Sequence, residues 1–227
     1  MIKIKLNPFG KITLGKAAGI LLLVAVLLYP QFANKYWTDV ANFFFIYVIL
    51  GLSLNLIVGY AGLFNLGHAA FYAVGAYSTA ILATRFNIPT LVSLPVAALL
   101  SAGFAALITK PILHLRGDYL CIVTIGFGEI VRIALYNNPF GLTGGSDRIL
   151  GIPRPVIAGF TIRQPVHYYY LFLAFVFFTL FIAKRLDSSK IGRARLCIRE
   201  DELAAEAMGI NTTGAKLLAF VLGAAGA

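Results

Sequence analysis

Apolar residues run in long blocks, separated by short polar segments rich in lysine and arginine. Residues 40–84 carry no formal charge, a run of 45 positions. A transmembrane helix needs about 20 mostly apolar residues. This run is too long for one helix and right for two, which predicts spans at 40–58 and 68–84. Further spans are predicted between Arg85 and Lys110, at 119–136 and at 165–183. An earlier apolar block at 17–29 follows a basic leader of Lys3, Lys5, Lys11 and Lys16. No small-x-small cleavage pattern follows Tyr29, so the block reads as an uncleaved first helix rather than a signal peptide. The last block opens after Lys216, and its 11 residues amount to about 16 Å of helix. The hydrocarbon core is about 30 Å thick, so a truncated seventh span is expected. The predicted fold is an all-α polytopic transmembrane bundle, six spans plus that truncated seventh. It forms one domain over 1–227, incomplete at its C-terminus, with a cytoplasmic loop at 184–216.

Composition supports this reading. Hydrophobic residues make up 59% of the chain and charged residues 12%. Soluble domains run about 45–50% apolar and about 25% charged. A typical soluble enzyme, a disordered chain and a nucleic-acid-binding domain are excluded. The net charge of +10 falls where topology needs it, because Lys and Arg collect in cytoplasmic loops. With the N-terminus in the cytoplasm, thirteen Lys and Arg lie inside, from the leader to Lys216. Only five lie outside: Lys35, Arg85, Arg148, Arg154 and Arg163. Tyr29, Tyr36, Trp37 and Tyr168–Tyr170 fall at the outer interface, as aromatic anchors do. Cys121 and Cys197 lie in unlike surroundings and indicate neither a disulfide framework nor a metal site.

No Walker A, GxSxG or HExxH pattern is present. His68, His114 and His167 fall on different segments, which argues against a membrane-embedded enzyme. Gly126-Phe-Gly128 lies inside an apolar span and reads as a packing surface. Three segments hold candidate chemistry. The first runs from Gly51 to Tyr77 and sets Asn55, Asn65 and His68 among Gly59, Gly62 and Gly67. Non-helical backbone at membrane depth is tolerated only when buried or lining a wet cavity. This segment is either part of a translocation pathway or a tight cytoplasmic hairpin whose glycines allow close packing. The second is Glu129 with Arg132, three apart and on one helix face. The pair is either a pathway wall or a structural ion pair, since an intramembrane charge needs a partner or a polar cavity.

The third segment is Glu200, Asp201, Glu202, Leu203, Ala204, Ala205, Glu206, Ala207, Met208, Gly209 and Ile210. Acids crowd the start of a short helix here, and glycine falls where a cap would end it. Leu203, Ala207 and Ile210 form a narrow apolar stripe. Such a helix suits a groove on a cytoplasmic partner. The acids argue against one lying on anionic lipid.

Taken together, these residues resemble a known family. The signature stretches are Gly59-Tyr-Ala-Gly-Leu-Phe-Asn-Leu-Gly-His-Ala-Ala-Phe-Tyr-Ala-Val-Gly-Ala-Tyr77 and the run from Arg116 to Arg132. Leu142-Thr-Gly-Gly-Ser146 and Ile191-Gly-Arg-Ala-Arg195 with the Arg199–Asn211 stretch complete the set. The chain resembles the permease subunits of bacterial branched-chain amino acid ABC importers, of the LivM type, from about residue 45 to 222.

The resemblance implies a subunit of a bacterial inner-membrane importer. It would pair with a second, related permease subunit. Two cytoplasmic ATP-binding subunits would use ATP and Mg, and a periplasmic or extracellular binding protein would deliver Leu, Ile or Val. This chain would bind no cofactor and catalyse no reaction, and the Glu202–Ile210 stretch would couple it to the ATPases. Family members continue for further spans past this loop. Relatives that carry urea, amides or other amino acids keep the cargo open, and Phe64, Phe71, Tyr77, Asn55 and Glu129 are candidate parts of a pocket. An ion-coupled transporter using Glu129 or His68 is the alternative from another class.

Overall fold

The computed structural model describes residues 19, 21, 23–62, 65–113, 115, 118–147, 149–157 and 160–227. The basic leader, Phe64, His114, Arg116 and Arg148 lie outside the described residues. So does part of the expected first span, of which Leu23–Phe32 is helical and is named α1. The long helices that follow are α2 (Lys35–Ala61), α3 (His68–Arg85), α4 (Thr90–Ile112), α5 (Asp118–Tyr136) and α6 (Pro165–Asp187). After them come α7 (Lys190–Glu200), α8 (Glu202–Ala207) and α9 (Thr212–Gly226).

Four of these helices are long and apolar enough to cross a membrane: α2, α4, α5 and α6. The chain is thus a multi-pass membrane protein with a helical fold. Helix α3 occupies the predicted second half of the uncharged run, but its mix of hydroxyls, His68 and Arg85 dilutes its apolar character. One small departure from an all-α chain occurs between α5 and α6. There β1 (Val156–Ile157) pairs antiparallel with β2 (Phe160–Thr161), Val156 opposite Thr161.

The packing order across the bundle is α3, α4, α9, α2, α6, with α5 lying along α3. Ser101 of α4 ties three helices, since its hydroxyl lies 3.0 Å from the carbonyl oxygens of both Phe71 and Ala224. Around it Ile57, Phe71, Ala105, Phe220 and Ala224 form the main core. Gly223 of α9 meets Ile57 and the Ser53 carbonyl so closely that a side chain there would collide. Small residues permit such close approach between membrane helices. A second core joins α1, α2 and α6 through Phe45, Tyr169, Leu173 and Val176. Tyr169 donates its hydroxyl to the Val26 carbonyl at 2.7 Å.

The bundle has two unlike ends. One is closed by the segment after α5, where Asn138 accepts from the backbone N–H groups of Thr143 and Gly144 at 2.9 and 3.0 Å. Arg85, at the end of α3, donates to the Gly141 carbonyl in the same segment. The opposite end carries the α2–α3 turn and the α7–α8 excursion.

Candidate functional site

The α2–α3 turn begins where Gly62 takes a left-handed φ of +66° and donates to the Val58 carbonyl at 3.1 Å. Only glycine adopts that conformation at little cost. Asn65 then folds back, its Oδ1 accepting from the Gly67 N–H at 3.1 Å. Asn65 and His68 are both buried. The Leu66 N–H donates to Thr124 Oγ1 of α5 at 3.2 Å, and Gly67 lies directly against the Thr124 carbonyl. Gly128 also faces Gly67, so this glycine serves packing, while Gly126 faces open space.

His68 opens α3 and sets its Nε2 2.8 Å from Ser53 Oγ of α2. The Ser53 hydroxyl also lies 2.8 Å from the Leu50 carbonyl. A hydroxyl has one proton to give. If it goes to Leu50, the imidazole Nε2–H is the donor to Ser53. The described part of the turn thus gathers Asn65, Gly67 and His68 with Ser53 and Thr124. Asn55 and Gly59 stand apart from this cluster. Asn55 is exposed on α2, and its side chain lies over Gly59.

Glu129 and Arg132 form a two-pronged ion pair, Nε to Oε2 at 2.9 Å and Nη2 to Oε1 at 2.5 Å. The pair stands in the open, with the two side chains 52% and 69% exposed. Ile122, Ile125, Ile130 and Ile133 are exposed on the same helix. Phe71 of the candidate pocket is instead buried in the main core. Among the described candidates, Phe71, Asn55 and Glu129 stand in separate settings. His68 and Glu129 hold separate partners.

The loop at 184–216 contains two helices where one was expected. Helix α7 is capped by Ser189, whose Oγ accepts from the Gly192 N–H at 3.2 Å. It packs against α2, α6 and α9. Its Ser cap and the spacing of Ile191, Arg195 and Ile198 are its sequence signals. Glu200 closes α7 rather than opening the next helix. Asp201 ends α7 and caps α8, its Oδ1 accepting from the N–H groups of Leu203 and Ala204 at 2.9 and 3.1 Å. Gly209, at φ +79°, donates to Glu206 while Ile210 donates to Ala205. That pair of bonds is a Schellman cap.

The two faces of α8 differ. Glu202 pairs with the buried Lys216 of α9 at 2.6 Å, and Glu206 accepts from the Thr212 hydroxyl at 2.8 Å. Acids four apart meet a threonine and a lysine four apart. Leu203 and Met208 point away, 64% and 83% exposed, and Ala204 and Ala207 are exposed with them. The expected stripe of Leu203, Ala207 and Ile210 is thus open at its first two members, while Ile210 is half-buried under the cap.

Three further side chains entered the pattern only as topology charges or motif members. Arg199 donates to the Gly59 carbonyl at 2.8 Å, and its stem lies against Gly62. Lys216 is 4% exposed and falls on the buried face of α9 with Thr212, Ala219 and Phe220. Its sequence signal is a cation at helical spacing among residues that face the core. Arg195 is the largest fully buried side chain among the described residues. Burial holds its guanidinium below the usual arginine range, opposed by the carboxylate of Asp187.

A family profile described as the permease component of the branched-chain amino acid transport system matches residues 36–227. The chain belongs to that family. It is 39% identical to the high-affinity branched-chain amino acid transport system permease protein LivM of Salmonella typhimurium, over 90% of this chain and 53% of that protein. LivM of Escherichia coli K12 is 38% identical, over 91% of this chain and 54% of that protein. LivH of Salmonella typhimurium, named as a permease protein of the same kind of system, is 26% identical over 79% of this chain and 63% of its own length. The chain spans about half the length of the LivM relatives it matches. No solved structure gives a significant match. The matched residues include the α2–α3 turn, α5 and the α7–α8 excursion.

Proposed function

We propose that this chain is a permease subunit of an ATP-driven importer of branched-chain amino acids in a bacterial inner membrane. It pairs with a second permease subunit of the same family, two cytoplasmic ATP-binding subunits and an external amino-acid-binding protein. The chain itself hydrolyses nothing, because ATP and Mg are handled by the ATP-binding subunits. The carrying observation is α8, a capped helix fastened to α9 on one side and open on the other through Leu203, Ala204, Ala207 and Met208. An apolar helix face of this kind suits a groove on a partner. In this reading residues 200–210 form the coupling element.

The same reading sets the α7–α8 end in the cytoplasm, with the N-terminus on that side. Lys184, Arg185, Lys190, Arg193 and Arg199 collect there, as the distribution of charge across membranes favours. Helices α1 and α3 are then spans beside α2, α4, α5 and α6, and α9 is the seventh. The α2–α3 turn lies at the cytoplasmic mouth. Its Asn65, Gly67 and His68, with Asn55, Gly59 and Gly62, border the pathway there. Glu129 and Arg132 stand on its wall along α5. An ion pair left in lipid is costly, whereas one facing a wet passage between two permease subunits is not.

The test is uptake of labelled leucine into liposomes holding this chain, extended to the length of its relatives, with its permease partner and ATP-binding subunits. The binding protein is added outside the liposomes, and ATP is enclosed on the side of the ATP-binding subunits. The reading predicts leucine uptake that needs both ATP and the binding protein. Uptake that follows a proton gradient without the ATP-binding subunits would replace it with ion-coupled transport.

A further inference from the structure

We propose that Arg199 and Lys216 are positioning residues that carry movement of α8 to one target, the α2–α3 turn. The inference rests on α8 being the coupling element. Helix α8 is six residues long and touches the bundle mainly through its neighbours in sequence. A force on its open face must leave through its fastenings.

The first route runs through α7. Asp201 is both the end of α7 and the cap of α8, so the two helices form one elbow about a single residue. Arg199 lies two positions before that elbow and donates to the Gly59 carbonyl in the last turn of α2. A helix C-terminus carries partial negative charge and unpaired carbonyls, which a guanidinium satisfies. Gly62 leaves the space in which the arginine stem lies. Displacing the elbow therefore pulls directly on the point where α2 ends and the turn begins.

The second route runs through α9. Glu202 holds Lys216, which is buried at the base of α9. Further along, Gly223 and Gly226 of α9 lie against Ser53 and Ile57 of α2. Ser53 in turn holds His68, the first residue of α3. One route meets the turn from its α2 side and the other meets it from the α3 side. Packed cores shift between discrete arrangements rather than deforming smoothly, so two fixed struts on one turn would move it as a unit.

The test uses the assembled importer. Arg199→Met keeps the stem and removes the donors, and Arg199→Lys keeps a donor. The double variant E202Q/K216M removes the second strut without leaving a buried charge alone. Two quantities are read: recovery of the ATP-binding subunits on purification, and leucine carried per ATP hydrolysed. Coupling energies of the usual size predict a loss of about tenfold in leucine per ATP for Arg199→Met and for the double variant. Recovery of the ATP-binding subunits with Arg199→Met should stay at the unmodified level, and Arg199→Lys should restore most of the yield.

Three results would overturn the inference: unchanged leucine per ATP, loss of the ATP-binding subunits from the Arg199→Met variant, or Arg199→Lys failing as badly as Arg199→Met. Failure of the unmodified chain to hold ATP-binding subunits would instead remove the coupling reading itself, and this inference with it.

Discussion

Two acid–base pairs among the described residues lie in opposite settings. Glu129 and Arg132 stand exposed on α5, a helix long and apolar enough to cross a membrane. Glu202 and Lys216 join α8 to α9 with the lysine ammonium buried. In the proposed topology water is plentiful where the second pair lies and scarce where the first does. The open pair is therefore the one that needs cover from outside the chain, and the buried pair is the one already covered. Exposure carries two meanings along one polypeptide. On α5 it marks a surface unfinished without a polar passage or a partner. On α8, in the proposed reading, it marks a docking face whose back is anchored.

The largest effect should come from breaking the covered pair on one side only. Glu202→Ala leaves the Lys216 ammonium buried without its carboxylate, and breaking a buried pair in this way costs about 3 kcal/mol. A clear fall in the melting temperature of the purified protein is expected. The double variant E202Q/K216M should lie closer to the unmodified chain. If the single and double variants melt alike, the lysine is not held by this pair.

The open pair should respond to its surroundings. Glu129→Ala should lower the melting temperature more in the assembled importer than before assembly with the second permease subunit. Equal shifts in both states would mean that α5 presents this face to the same environment throughout.

Asp201→Ala removes the side-chain cap of α8 and should destabilise by about 1 kcal/mol, read by faster amide exchange at Leu203 and Ala204. The smallest effect on stability belongs to Met208→Ala, within about 0.5 kcal/mol as for other surface positions. Its effect should appear instead as weaker recovery of ATP-binding subunits. A large stability loss there would mean that the open face of α8 packs against this chain.

Much of this arrangement was legible in the residues. The uncharged run from 40 to 84 split into α2 and α3 because Gly59, Gly62 and Gly67 mark the turn between two helical lengths. The Gly209 cap was readable because an αL residue after a short helix is nearly always glycine or asparagine. Helix α7 was missed because its five basic and acidic residues hide a weak apolar stripe, and basic loops near membranes read first as topology signals. Lys216 was counted as one such signal, although its spacing with Thr212, Ala219 and Phe220 places it on the buried face of α9. The Arg199 bond to Gly59 spans 140 positions, and no local pattern encodes a contact of that range. Whether a polar residue lines a passage or closes a turn also depends on packing. Asn65 and His68 proved buried, while Asn55 proved exposed.

The central claim is that the open face of α8 docks on an ATP-binding subunit. Its most direct test is a single photo-crosslinker on Met208→Cys, in a chain with Cys121→Ser and Cys197→Ser, within the assembled importer. The account predicts one crosslinked product with the ATP-binding subunit, weakened when Leu203→Asp is added. A crosslink to lipid alone, in an importer that retains its ATP-binding subunits, would contradict it.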